Sequence, residues 1–196
     1  PDESKRPEGE WPVLPNTILS LGARGYGDWL AQAAAATLWA LERPEVSPGR
    51  LAFFGTSQGG GTALILASML REQGVCAAAA DVPFLTDLAS LYQTRQGAAY
   101  RLGLDRIERM ERERPDDVPA AWRAVGLVDT LSHAHRLTMP VLLTAGTEDA
   151  SCPPQTIRRL FEKLPGTRSY TELAGQGHAY TTPFLHMARA WFRLYV

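Results

Sequence analysis

The chain has 196 residues, near the length of one domain at about 150 residues each, with 45% hydrophobic and 21% charged residues and a net charge of −1. That balance excludes intrinsic disorder, and two cysteines are too few for a disulfide-framed mini-protein. Twenty basic residues against 21 acidic ones leave no cationic excess for nucleic acid, and no apolar run approaches the ~18 residues of a membrane span.

Residues 1–16 (PDESKRPEGEWPVLPN) form an irregular lead-in rich in proline and charge. No secretory leader is visible in it, so a cytoplasmic location is expected, with neither nucleic acid nor membrane as partner. The apolar run at 17–22 (TILSLG) ends in a glycine-rich turn, Arg24-Gly25-Tyr26-Gly27. Residues 28–42 are rich in alanine and leucine. They predict a helix capped by Asp28 and stopped before Pro44. A strand is expected at 50–54, a helix at 59–73 ended by Gly74, and a buried strand at 75–82 reaching Asp81.

Residues 84–136 read differently. They are more charged, helical in tone, interrupted at Pro115 and Pro119, and contain no strand pattern, which predicts a helical cap-like insertion. Its densest charge run, 105–117 (DRIERMERERPDD), mixes both signs and reads as a solvated helix face. The pattern then resumes with a strand at 141–145, a helix at 154–164, a strand at 169–173 and a terminal helix at 184–195. Strands alternating with helices predict an α/β fold: one domain over 1–196, with a mostly parallel sheet covered on both faces. Cys76, inside an alanine-rich run, is expected to be a buried small hydrophobe. No C-x-x-C is present, and His133 and His135 lack companions at ligand spacing, so neither a metal nor a cofactor is expected.

The stretch that carries chemistry is Gly55-Thr56-Ser57-Gln58-Gly59, a match to G-x-S-x-G lying between a predicted strand and a predicted helix. A turn that sharp strains the serine and lifts its hydroxyl to the tip. It predicts crowding at Gly55 and Gly59, with Gly60 and Gly61 adding clearance. The Gln58 N–H would point where an oxyanion forms. The competing reading is a glycine-rich turn at a helix N-terminus that holds an anion. A serine nucleophile needs a base, and the base needs an orienting acid. Strand 141–145 is followed by Glu148 and Asp149, and strand 169–173 by Gly177-His178. Both groups would leave the carboxyl edge of the sheet, where open α/β folds place their sites. Spacing alone leaves Glu148 and Asp149 as rivals. Asp81 stands at the same edge, either facing the site or serving a structural role as a helix cap or hydrogen-bonded group. Phe84, Leu91, Tyr92, Tyr100 and Trp122 are either core or pocket lining, with Phe84 and Tyr92 the candidates for contacting substrate.

Several stretches together resemble the acetyl xylan esterase and cephalosporin-C deacetylase family, carbohydrate esterase family seven of the α/β-hydrolase superfamily. They are 55–61 (GTSQGGG), 79–85 (AADVPFL), Val128-Asp129 leading into 139–143 (MPVLL), and 146–154 (GTEDASCPP). Arg24-Gly25-Tyr26-Gly27 is similar to the family's R-G-Q-G turn. The elbow departs from the family's G-G-S-Q-G-G-G by Thr56, and Asp28 follows Gly27 without the family's long insertion. The resemblance places the catalytic acid on Asp149 and implies a fold with earlier strands and a second oxyanion donor. No such segment is recognisable before Thr17, so the chain is expected either to be a piece of a longer protein or to draw that donor from residues 1–16. It also implies self-association. The function expected is therefore a serine esterase removing small acyl groups, acetyl above all, from carbohydrate-like alcohols, with Ser57, His178 and Asp149 as the triad. Two rivals stand beside it. One is another hydrolysis by the same triad, of a peptide or a dienelactone. The other is a non-catalytic scaffold that binds a partner.

Overall fold

The computed structural model describes residues 24–47 and 49–196; the predicted run at 17–22 and the lead-in at 1–16 lie outside them. The first element is helix α1 (Arg24–Leu41). It takes the predicted glycine turn into its own first turn, so Asp28 is an interior residue and not a cap. Glycine costs a helix only about 1 kcal/mol relative to alanine, and the long Ala/Leu run that follows tolerates two of them.

Strand β1 (Leu51–Thr56) then leads into helix α2 (Gln58–Met69), which is closed by a 3₁₀ turn at Arg71–Gln73 and by Gly74 in the left-handed conformation, φ 81°. Strand β2 (Val75–Asp81) follows. The predicted insertion is built of helices joined by turns, with no strand among its described residues: α3 (Leu88–Thr94), α4 (Arg101–Glu113), α5 (Val118–Gly126) and α6 (Thr130–His133). Proline ends α4 as expected, because Pro115 cannot continue it and opens a separate 3₁₀ turn. Strand β3 (Val141–Gly146), helix α7 (Pro154–Lys163), strand β4 (Arg168–Leu173) and helix α8 (Thr182–Tyr195) complete the chain.

The four strands pair in parallel in the order β1-β2-β3-β4. Alternation of side chains across β2 shows how both faces are covered. Ala78 and Ala80 join the larger core with Leu64, Ile65, Val141 and Leu143, on the face carrying α2. Ala79 joins Leu142, Phe184 and Ala188 on the opposite face, beneath α8. Alanine on both sides lets two helices approach the same strand closely. Cys76 departs from expectation. It is half-buried at the amino end of β2, with Sγ 2.8 Å from the Gly49 carbonyl, because it precedes the part of the strand that both helices cover.

The insertion is built into the main core. Leu91, Tyr100, Leu104, Ile107, Val125 and Val128 all belong to the cluster that includes α2. Two buried polar groups hold the path from β2 into it. The Tyr100 hydroxyl accepts from Leu85 N at 2.7 Å. The Asp129 carboxylate accepts from the backbone N–H groups of Asp87, Leu88 and Leu131 at 2.8–2.9 Å. These anchors hold Leu85 and Asp87 at positive φ (59° and 57°), and the bond from Val82 N to the Thr144 carbonyl at 2.9 Å holds Val82 at 39°, a conformation side chains normally avoid.

Candidate active site

Ser57 sits on the bend between β1 and α2 with φ 55° and ψ −119°, a strained conformation for a residue with a side chain, costing about 1–3 kcal/mol. Three backbone hydrogen bonds hold it there. Ser57 N donates to Asp81 O at 2.9 Å, and the Ser57 carbonyl accepts from Gly61 N at 3.0 Å and Phe84 N at 2.9 Å. The glycines are needed for close approach, but not in the predicted pattern. A Cβ on Gly55 would lie 2.4 Å from the Gly59 carbonyl carbon, and one on Gly61 would lie 2.1 Å from Phe84 O. A Cβ on Gly60 would press on Asp81 O and Gly55 O at 3.0 Å, whereas one on Gly59 meets nothing within 4 Å. The crowding is therefore at Gly55, Gly60 and Gly61. Gly59 presents its α-carbon outward, and only its carbonyl faces Gly55.

His178 arrives on the loop after β4 and meets the serine: Ser57 Oγ lies 2.8 Å from His178 Nε2. The other ring nitrogen, Nδ1, lies 2.8 Å from Asp149 Oδ2. A carboxylate can only accept, so the proton sits on Nδ1 and leaves Nε2 free to accept from the serine hydroxyl. Of the two rival acids it is Asp149 that faces the imidazole. Its side chain is fully buried, and its second oxygen accepts from Ser151 N and Cys152 N at 2.8 Å each. Glu148 instead contributes its backbone N–H to Gln176 O at 2.9 Å, tying the acid loop to the histidine loop. That approach is close enough that a Cβ on Gly146 would lie 2.4 Å from Gln176 O.

The hydrogen bond that His178 donates to Asp149 holds the imidazole above its ordinary pKa, against a smaller opposing effect of burial. Its side chain remains 32% exposed, so the site is open to solvent on the serine side. Gln58 is the first residue of α2, and its backbone N–H belongs to the first turn, where no intrahelical acceptor exists. Residues 1–16, one expected source of a second oxyanion donor, lie outside the described residues.

The aromatic candidates have defined contacts. Phe84 stacks on Tyr100 with ring centroids 4.3 Å apart, and its N–H holds the Ser57 carbonyl. Tyr92 packs edge-on against Trp122 at 5.3 Å and donates to Glu111 at 2.6 Å. Asp149, Cys152 and His178 are described residues whose ligand-type atoms come within 4.8 Å of one another. Both His178 nitrogens are already engaged, and burial pushes the Cys152 thiol far up, away from the thiolate a metal requires. His133, named in the sequence for its neighbour His135, is held instead between Ser68 Oγ and the Leu127 carbonyl, at 2.8 Å each. The sequence marked Thr56 only as a departure from the family's elbow and did not mark Thr144, yet the hydroxyls of both reach the Asp81 carboxyl. A threonine inside a strand carries no signal of such a role.

The chain is similar to acetyl xylan esterases in sequence and in fold. The family model described as acetyl xylan esterase matches residues 26–194. A curated relative, the acetyl esterase Axe7A of Xylanibacter ruminicola, is 31% identical over 102 residues, which is 52% of this chain and 21% of the relative. Among solved structures, the acetyl xylan esterase from Paenibacillus sp. R4 superposes with a TM-score of 0.81 at 23% identity, covering all of this chain and 61% of its own. Acetyl xylan esterase 1 from a Thermoanaerobacterium species superposes with a TM-score of 0.68 at 25% identity, covering 85% of this chain and 51% of that one. The chain thus spans about a fifth of the curated relative and half to three-fifths of these structural ones. A dienelactone hydrolase from Anabaena variabilis, at 20% identity and a TM-score of 0.54, shares the fold. Among the described residues no helix is long and apolar enough to cross a membrane.

Proposed function

The chain belongs to the acetyl xylan esterase family, and we propose that it acts as a serine esterase on small acyl esters, acetyl esters of carbohydrate-like alcohols first among them. The observation that carries this reading is the unbroken line from Ser57 Oγ through His178 to the buried Asp149, with 2.8 Å at each step. In the proposed reaction Ser57 Oγ attacks the ester carbonyl as its proton passes to His178 Nε2. Asp149 stabilises the imidazolium that results and keeps the ring in its attacking orientation. The Gln58 N–H, at the positive end of α2, stabilises the tetrahedral oxyanion. His178 then returns its proton to the departing alkoxide, and water repeats the sequence on the acyl-enzyme.

The test is covalent. A fluorophosphonate probe should label Ser57 stoichiometrically, and the labelled chain should lose hydrolysis of p-nitrophenyl acetate. An unlabelled Ser57 in folded protein refutes the reading. A panel of acetyl, butyryl and longer acyl esters beside acetylated xylo-oligosaccharides then fixes acyl length and alcohol. A flat response across acyl lengths would remove the acetyl assignment while leaving the esterase.

A further inference from the structure

A second buried carboxyl lies at the same edge of the sheet as the triad, and the mechanism above makes no use of it. Asp81 is the last residue of β2 and is completely buried. It stands in register between Thr56 of β1 and Thr144 of β3. Thr144 Oγ1 donates to its Oδ1 at 2.5 Å, and Thr56 Oγ1 lies 3.5 Å from its Oδ2. Its backbone carbonyl accepts the Ser57 N–H at 2.9 Å. All three strand residues point to the face under α8, since Asp81 shares parity with Ala79 and Thr144 with Leu142. One residue therefore fixes three things: the amide of the nucleophile, the side chain that precedes it, and the strand that leads to the acid loop.

We propose that Asp81 is a positioning residue for the triad, a clamp that sets Ser57 against His178 and adds negative charge at the triad's edge of the sheet. The inference rests on the serine-esterase reading for its kinetic consequences but not for its structural one. Burying a carboxyl in the middle of a sheet is unfavourable, and burial raises the Asp81 pKa even though both threonine hydroxyls and His178 oppose the rise. A clamp made only for stability needs no ionisable group. A pair of apolar residues across three parallel strands would stabilise the sheet without that cost. Among the described residues the charges of His178 and Asp149 act on Asp81, while α8 presents Phe184 and Ala188 to β2 and β3. Asp81 in turn raises the His178 pKa, after Asp149.

The test is the titration of the His178 ring, followed by NMR in the full 196-residue chain, in wild type and in Asp81→Asn and Thr144→Val. Asp81→Asn removes the charge and keeps the size, so the His178 midpoint should fall by about 0.5–1 pH unit. Thr144→Val keeps the shape and removes the shorter hydroxyl contact. Asp81 then ionises less readily, and the His178 midpoint should move the same way by a smaller step. In kinetics, kcat should fall about tenfold or more in Asp81→Asn with KM nearly unchanged, as expected when reacting groups are displaced and binding is not. The acid limb of kcat/KM should move with the NMR midpoint. A His178 midpoint unmoved in Thr144→Val, or in a folded Asp81→Asn, overturns the proposal. Loss of kcat with no change in the titration also overturns it, since that is what a purely structural clamp would do. The NMR midpoint is readable whether or not the chain hydrolyses esters. Failure of the esterase reading would appear separately, as wild-type protein inert to acetyl esters and to fluorophosphonate.

Discussion

The paired substitutions Gly61→Ala and Gly59→Ala make a demanding test of the elbow. They lie two residues apart in the first turn of one helix, and any rule based on helix propensity treats them alike. The structure does not. The methyl that Gly61→Ala introduces would sit 2.1 Å from Phe84 O, where ordinary contact begins near 3.4 Å, so the backbone at Phe84 or the start of α2 must shift by about 1.3 Å. Forcing a methyl into such a contact costs about 1–3 kcal/mol. The shift also stretches the hydrogen bond from Phe84 N to the Ser57 carbonyl, worth about 1 kcal/mol more. The expected destabilisation is about 2–4 kcal/mol, which lowers Tm by roughly 4–16 °C at 2–4 °C per kcal/mol. The methyl that Gly59→Ala introduces meets nothing within 4 Å, and the helix gains propensity, so this variant should be neutral or more stable by about 0.5–1 kcal/mol. Urea denaturation followed by circular dichroism measures both. If the two variants unfold at the same midpoint, the close approach of Gly61 to the strand exit is wrong, and with it the account of how Ser57 is held.

Four further outcomes follow from the site and its supports. Ser57→Ala should lower kcat on p-nitrophenyl acetate by about 10⁴- to 10⁶-fold with the fold unchanged, and an unaltered rate refutes the nucleophile. The acid limb of kcat/KM should lie above the ordinary imidazole value of 6.5, because Asp149 raises His178. Activity needs the neutral ring and so fails on acidification, while the stability gained from the charged ring is complete below the unfolded pKa and is lost as pH rises through the folded one. In Asp149→Asn the limb should move toward lower pH while kcat falls by about 10⁴, and a limb that stays in place would separate it from His178. Asp129→Ala leaves the buried N–H groups of Asp87, Leu88 and Leu131 without their acceptor and should cost about 3 kcal/mol or more in urea denaturation. A loss below about 1 kcal/mol would show that the insertion does not depend on that anchor.

The alternation of elements was legible because apolar runs, glycine and proline mark strands and breaks strongly. The four described strands fall within two residues of their expected limits. The start of α1 was not legible: Gly25 and Gly27 look like a turn, and only the continuing alanine run pulls them into a helix. Ser57 could be found from its pentapeptide, since the backbone demand is local. Asp149 and His178 could be placed at strand exits, but choosing Asp149 over Glu148 from the residues alone requires knowing which side chain turns inward. That depends on Ser151 and Cys152 folding back onto its carboxylate. The crowding around the elbow was half legible. Gly55 was expected, while the pressure on Gly61 comes from Phe84, 23 residues later in the chain. The threonines on Asp81 were illegible for the same reason: strand register, not spacing, brings them together.

Ser57 and His178 are separated by 121 residues and meet only through the ordered stacking of four strands. During synthesis from the amino end, the Ser57 hydroxyl is made first of the three proposed triad groups and the His178 imidazole third. A ribosome-bound or misassembled intermediate therefore carries a serine with no base beside it. The turnover proposed for this chain would then report completed folding, and truncation between Ser57 and the loop after β4 should silence it without removing the serine.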